Sequence, residues 1–235
     1  MNRWPKPEPQ SALVVLVPAA EELVARFRAV HDPAAAAGMP AHITTLFPFR
    51  PPVRIDVMTI EQLKACFSAY EPFDFELVGI KRFPGLIYLA PEPDDRLKTL
   101  TQAALEAFPD YPPYEGKHSD IIPHLTVAQE EDEQVLGRIG LDFGVTAERF
   151  LPLAAKATEV ALMDNSSGPW RVVTTFTLGR LWGSVPGPKS AVRVSPGQLL
   201  RARSVPPAPR RPEPRQEAPR PPLGFFSAAS CASCA

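Results

Sequence analysis

Ala41–Phe49 reads AHITTLFPF and Ile121–Gln129 reads IIPHLTVAQ, and these two runs decide how the rest of the chain is read. Both are apolar and β-prone. Each holds a His-x-Thr, His42-Ile43-Thr44 and His124-Leu125-Thr126, 82 residues apart. Side chains alternate faces along an extended strand, so His42 and Thr44 point one way together, as do His124 and Thr126. One such triplet carries little information. Two copies, using half of the four histidines in the chain, carry more. If the strands lie side by side, two imidazoles and two hydroxyls converge on one volume. One imidazole could take a proton, the other give one, and the hydroxyls hold non-bridging oxygens, a set suited to a phosphodiester. Two buried structural histidines are the other reading, and the pattern alone leaves both open.

Working outward, Ser11–Pro18 (SALVVLVP) is a continuous apolar run of strand length. Ala19–His31 has helical spacing, with Leu23, Val24, Phe27 and Val30 on one side and Glu21 and Glu22 in the first turn. Asp32–Pro40 leads into the His42 strand, prolines 48 to 52 end it, and Thr59–Tyr70 reads as a second helix. Pro72–Lys81 alternates as a half-buried strand does, and Gly85 turns it into Leu86–Ala90. Asp94–Phe108 is a third amphipathic helix, Asp110–Asp120 a loop, and a short helix is expected around Glu131–Ile139. Ala154–Met163 and Trp170–Leu178 read as two strands joined by the turn DNSSG at 164–168. The order is an approximate duplication: strand, helix, motif strand, helix, then hairpin, helix, motif strand, helix, hairpin. That favours an α+β fold. A parallel doubly wound sheet ranks second, because hairpin signals flank both halves and no Gly-rich phosphate loop follows the first strand.

Composition divides the chain. Residues 184–235 carry eight Lys/Arg, two Glu and 11 of the 30 prolines, a net charge of +6. Residues 1–183 carry 17 basic and 24 acidic residues, a net of −7. The near-zero total therefore hides an acidic body and a basic tail. We expect a flexible lead over residues 1–10, a folded domain over 11–183 and a disordered tail over 184–235, where too little apolar surface is available to offset ordering entropy. Three cysteines make no disulfide framework, which fits a reducing cytoplasm. No signal peptide is visible, and no apolar stretch reaches the roughly 20 residues that span a bilayer.

The paired motifs, their order and the flanking segments SALVVLVP, RFPGLIYLAPEP and PHLTVAQ resemble the 2H phosphoesterase superfamily, in particular its 2′-5′ RNA ligase-like branch with its RNA 2′,3′-cyclic phosphodiesterases. The resemblance covers about residues 10–182. It implies a bilobal duplicated fold in which two antiparallel sheets face a central cleft, with one motif in each lobe and helices outside. It also implies catalysis by His42 and His124, phosphate binding by Thr44 and Thr126, and no cofactor or metal. The substrate would be an RNA end or a small cyclic phosphodiester. Many members carry Arg shortly after the second motif, where this chain has Gln129. Together with the acidic body, that favours a small substrate over a long RNA.

Imidazole has a reference pKa near 6.5, so a His pair near neutrality readily holds one protonated and one neutral member. The sequence does not assign acid and base between them. Phe47 and Tyr88 could stack on a base, although core packing explains both more simply. His118, with Tyr114 and Lys117, lies in the 110–120 loop and reads as surface; His31 reads as a helix-end residue. Two His and two Thr form a poor zinc set, and Cys231-x-x-Cys234 is half a zinc site with no second half. The tail reads as a solvated linker, a protein-interaction segment or a nonspecific phosphate attractor. Nothing demands more than a monomer. A non-catalytic nucleotide- or RNA-binding module using the same cleft is the competing functional reading.

Overall fold

A computed structural model describes residues 8–112 and 121–179. The 110–120 loop residues Tyr114, Lys117 and His118 and the basic tail with Cys231 and Cys234 lie outside the described residues. Eight strands form two four-stranded antiparallel sheets. The first has the order β2-β1-β7-β8, from β1 (Ser11–Leu16), β2 (His42–Leu46), β7 (Glu159–Asp164) and β8 (Arg171–Thr177). The second has the order β5-β4-β3-β6, from β3 (Phe73–Phe83), β4 (Leu86–Glu92), β5 (Leu125–Gln129) and β6 (Leu153–Ala157). Helices α1 (Glu21–His31), α2 (Pro33–Ala36), α3 (Val57–Phe67), α4 (Asp95–Ala107) and α5 (Glu133–Ala147) connect them. The α+β expectation holds, and the parallel alternative fails because every strand pair is antiparallel.

The duplication is visible in the topology. In each sheet an inner strand feeds a helix that returns to an edge strand carrying the motif: β1-α1-β2 and β4-α4-β5. The helices are exchanged, since α1 packs on β5 and α4 packs on β2. That exchange draws the two edge strands together, and β2 and β5 have Cα atoms within 8 Å of each other.

Side-chain caps fix the starts of α2, α3 and α5. Asp56 caps α3 by accepting from the Thr59 N–H at 2.8 Å, and Asp132 caps α5 by accepting from Gln134 and Val135. Glu21 and Glu22 sit in the first turn of α1, and Arg28 and His31 in its last. His31 therefore stands where the sequence placed it, at a helix end.

Three expectations need correction. Ala154–Met163 is two strands rather than one: β6 pairs with β3 in one sheet, and after Thr158 the chain continues as β7 beside β1 in the other. The first lobe thus takes two of its four strands from the C-terminal part of the domain, so the lobes are not contiguous halves. The helix expected at 131–139 runs to Ala147, because Leu136, Ile139, Phe143 and Ala147 prolong the buried stripe. Val30 is 75% exposed, since the α1 stripe turns away from it toward Phe27 and the buried Arg28.

The main core lies between the inner sheet faces and the helices, with Phe27 of α1 meeting Phe143 of α5 edge to face at 5.0 Å. Phe143 is wholly buried. Phe143→Ala should cost about 3–5 kcal/mol in urea unfolding, whereas Val30→Ser should stay within about 0.5 kcal/mol of wild type.

Candidate active site

His42 opens β2 and His124 stands one residue before β5, so the second histidine is presented from the approach to its strand rather than from within it. Each imidazole is held by the same local device. His42 Nδ1 lies 2.7 Å from the Pro40 carbonyl, and His124 Nδ1 lies 2.7 Å from the Ile122 carbonyl. A carbonyl can only accept, so Nδ1 carries the proton in both rings. The neutral rings then leave Nε2 as a free base, and protonated rings keep the same bond.

The threonines share the face of their histidines. Thr44 pairs with Val14 and His42 with Leu16; Thr126 pairs with Tyr88 across β4 and β5. Directly paired residues lie on one face. In both motif strands the register slips immediately after the threonine, with Thr45 extra against β1 and Val127 extra against β4. Such a bulge bends the strand and re-aims its side chains. Its recurrence at the fourth motif position in both lobes is a structural likeness that residue identity, Thr against Val, does not reveal.

The surroundings of the two rings differ. His124 meets Tyr88 at 5.5 Å and Phe83 at 5.6 Å, both edge-wise, while Phe83 and Tyr88 stack on each other at 4.5 Å. Tyr88 is therefore a buried platform beneath His124, and burial pushes its phenol pKa up. The His42 face carries a small apolar cluster of Ala12, Val14, Met39, Ala161 and Met163, with Phe47 packed edge-wise on Trp170 at 6.3 Å. Trp170 was not singled out in the sequence, and only the β7-β8 pairing brings it to Phe47. Gln129 is exposed at the far end of β5, five residues and about 16 Å along the strand from His124. The structure thus gathers His42, Thr44, His124, Thr126 and Tyr88 near the strand junction, with Phe47 beside the His42 face and Gln129 apart.

A cavity of about 580 Å³ adjoins His124 through Tyr88, Ile122 and Pro123. Its wall includes the carboxylates of Glu76, Glu92, Asp94 and Asp95 and one ammonium, that of Lys81. Lys81 sits 4.0 Å from Glu92 with both side chains more than half exposed, a pairing worth little to stability. The described residues hold no group of three or more His, Cys, Asp or Glu placed to bind a metal ion.

Burial lowers both histidine pKa values. For His42 it brings the value from 6.5 to about 4, opposed by the bond to Pro40, with Arg28 and His124 lowering and Asp32 raising it. For His124 burial lowers it and the bond to Ile122 opposes. Both shifts work against the protonated form of either ring. A negative charge beside either ring would favour its imidazolium form.

The chain matches the model of the 2′-5′ RNA ligase superfamily over residues 16–169 and belongs to that superfamily. Among solved structures it is similar to Escherichia coli LigT complexed with 3′-AMP, at 17% identity and a TM-score of 0.50, covering 74% of this chain and 100% of that one. A structure described as a phosphoesterase matches at 18% identity and a TM-score of 0.48, covering 74% and 100%. The LigT likeness bears on the fold. No curated protein matches. No helix among the described residues is long and apolar enough to cross a membrane.

The His42 shift has a consequence for stability. The unfolded chain takes up a proton below about pH 6.5, while folded His42 resists until about pH 4. The unfolded state therefore binds more protons across that window. The His42 contribution to stability is constant above about 6.5, is lost as pH falls toward about 4, and levels off below. His42→Asn should flatten the decline measured by urea unfolding between pH 6.5 and pH 4.

Proposed function

We propose that this cleft is a metal-independent phosphoesterase site acting on 2′,3′-cyclic or 2′-5′ phosphodiesters. The observation that carries the reading is the matched pair of Nδ1-to-carbonyl bonds, which leaves each Nε2 without a partner among the described residues, on strands whose Cα atoms come within 8 Å. One imidazole activates water, or the attacking hydroxyl in the reverse direction. The other protonates the departing ribose oxygen. Such positioned proton transfer contributes about 10²–10⁴-fold in rate. Thr44 and Thr126 donate to non-bridging oxygens, and with the imidazolium they supply the charge stabilisation that a metal would otherwise give.

Substrate size follows from charge. Four acidic residues against one lysine line the cavity beside His124, and Gln129 brings no cation. Each further phosphate of a long RNA would face that wall, so a mononucleotide cyclic phosphate or a comparably small phosphodiester suits the site better than an extended strand. Tyr88 serves by holding His124, and Phe47 offers the apolar face on the other side. The downward shift of both rings is the one feature that also suits a non-catalytic binding module. The basic tail is proposed as a separate protein- or nucleic-acid-binding segment.

The test is turnover of adenosine 2′,3′-cyclic phosphate and of a short RNA ending in a 2′,3′-cyclic phosphate, both in EDTA. His42→Ala and His124→Ala should each lower kcat by at least about 10²-fold, and Thr44→Val and Thr126→Val by about 10-fold or more. The mononucleotide should be the better substrate. Substantial turnover in either histidine variant sinks the reading, and tight binding without turnover by wild type moves it to the binding module.

A further inference from the structure

Arg28 and Asp32 form an ion pair inside the first lobe, Nε to Oδ2 at 2.9 Å, with both side chains about 2% exposed or less. A buried pair of this kind is weak evidence for stability, because desolvation offsets its attraction. It therefore invites another explanation, and its remaining hydrogen bonds supply one. Arg28 Nη2 donates to the Met39 carbonyl at 3.1 Å, and Asp32 Oδ1 accepts from the Ala34 N–H at 2.9 Å. The pair grips both ends of the segment that leads into His42.

Every backbone polar group from Met39 to Ala41 has a partner. The Met39 N–H donates to Ala34, and the Met39 carbonyl accepts from Arg28. Pro40 has no N–H, and its carbonyl accepts from His42 Nδ1. The Ala41 N–H donates to Glu21 Oε1 at 2.5 Å, and its carbonyl accepts from Val17 N–H at 2.8 Å. Just upstream, Gly38 takes a left-handed φ of 92° beneath Pro169 and Trp170, where a Cβ would stand 3.4 Å from each. The Pro40 carbonyl is the group that fixes which ring nitrogen of His42 carries its proton. Its direction is set by the peptide planes on either side, one of them anchored by Arg28.

We propose that Arg28, locked by Asp32, is a positioning residue for His42: it fixes the Met39 peptide so that the Pro40 carbonyl holds Nδ1 and leaves Nε2 aimed into the cleft. Beyond the same carbonyl bond, His124 is supported by edge contacts with Phe83 and Tyr88 rather than by an ion pair. The two like motifs thus rest on unlike supports, so loss of Arg28 acts on one histidine and spares the other. The activity part of the test rests on the phosphoesterase reading; the spectroscopic part does not.

The test uses the full chain and two variants. Arg28→Lys retains the charge, but a single ammonium cannot reproduce the fork that reaches Asp32 and Met39 together. The double variant Arg28→Met, Asp32→Leu removes both charges at once and strands neither. Imidazole ¹⁵N shifts from two-bond proton–nitrogen correlation report the tautomer of each histidine, with His124 as the internal standard. In both variants we expect His42 to leave the pure Nδ1–H tautomer for a mixture while His124 keeps its shifts. With adenosine 2′,3′-cyclic phosphate, kcat should fall about 10–100-fold with KM within about threefold, as for a misplacement of about 1 Å. A folded variant whose His42 tautomer and kcat match wild type overturns the proposal, and so does an equal disturbance of His42 and His124. If the wild type turns over no substrate, the phosphoesterase reading fails, and the His42 tautomer alone decides for or against Arg28.

Discussion

The carbonyl two residues before each histidine is the contact on which the cleft depends. A free imidazole exchanges tautomers and turns about two torsions, so a strand that merely carries a histidine offers no defined base. Donation from Nδ1 to Pro40 or Ile122 removes that freedom at once, choosing the tautomer and fixing the ring plane. The bond closes between a side chain and its own backbone, so its geometry is only as good as the local peptide conformation. Pro40 and Pro123 limit that conformation directly, since a proline fixes its own φ and restricts the residue before it. The bulges after Thr44 and Thr126 then bend each strand where the motif ends.

The sheets are arranged to bring these two local devices together. Edge strands have one free side, and edges normally must be covered or blunted. Here β2 and β5 are the edges of their sheets, and each is covered by the helix that leads into the other. The exchange of α1 and α4 buries two liabilities with one arrangement and sets the motif strands against each other. The interlobe core carries that arrangement, and Phe27 on Phe143 is part of it.

Much of this was legible in the sequence because it is written in periodicity. The alternation in Phe73–Leu77, the apolar run of β1 and the stripes of α1 and α4 are local patterns, and they marked the elements. His42, Thr44, His124 and Thr126 could be placed on common faces by counting in twos. What was not legible depends on partners distant in sequence. Nothing within Ala154–Met163 says that Thr158 is where one strand leaves β3 and the next joins β1. Trp170 reaches Phe47 only through the β7-β8 pairing. Arg28 lies in a helical stripe of hydrophobics, where from sequence an arginine reads as a solvated residue. Four residues on, Asp32 before Pro33 could have signalled both a helix cap and a partner for it.

The unlike supports behind the two rings have an energetic logic. His42 lies against a small apolar cluster and an ion pair, His124 against two aromatic rings and a cavity rimmed by carboxylates. Two imidazoles in identical environments would titrate identically. The local bond is shared, so the difference has to come from what stands behind each ring. On the His42 side the opposite charges of Arg28 and Asp32 largely cancel at a distance, leaving the ring in surroundings poor in net charge and dominated by burial. On the His124 side, burial and the bond to Ile122 act on the ring itself, and four acidic residues line the neighbouring cavity. The asymmetry between the rings is thus one of charge as well as of shape, a closed ion pair behind one and acidic side chains beyond the other.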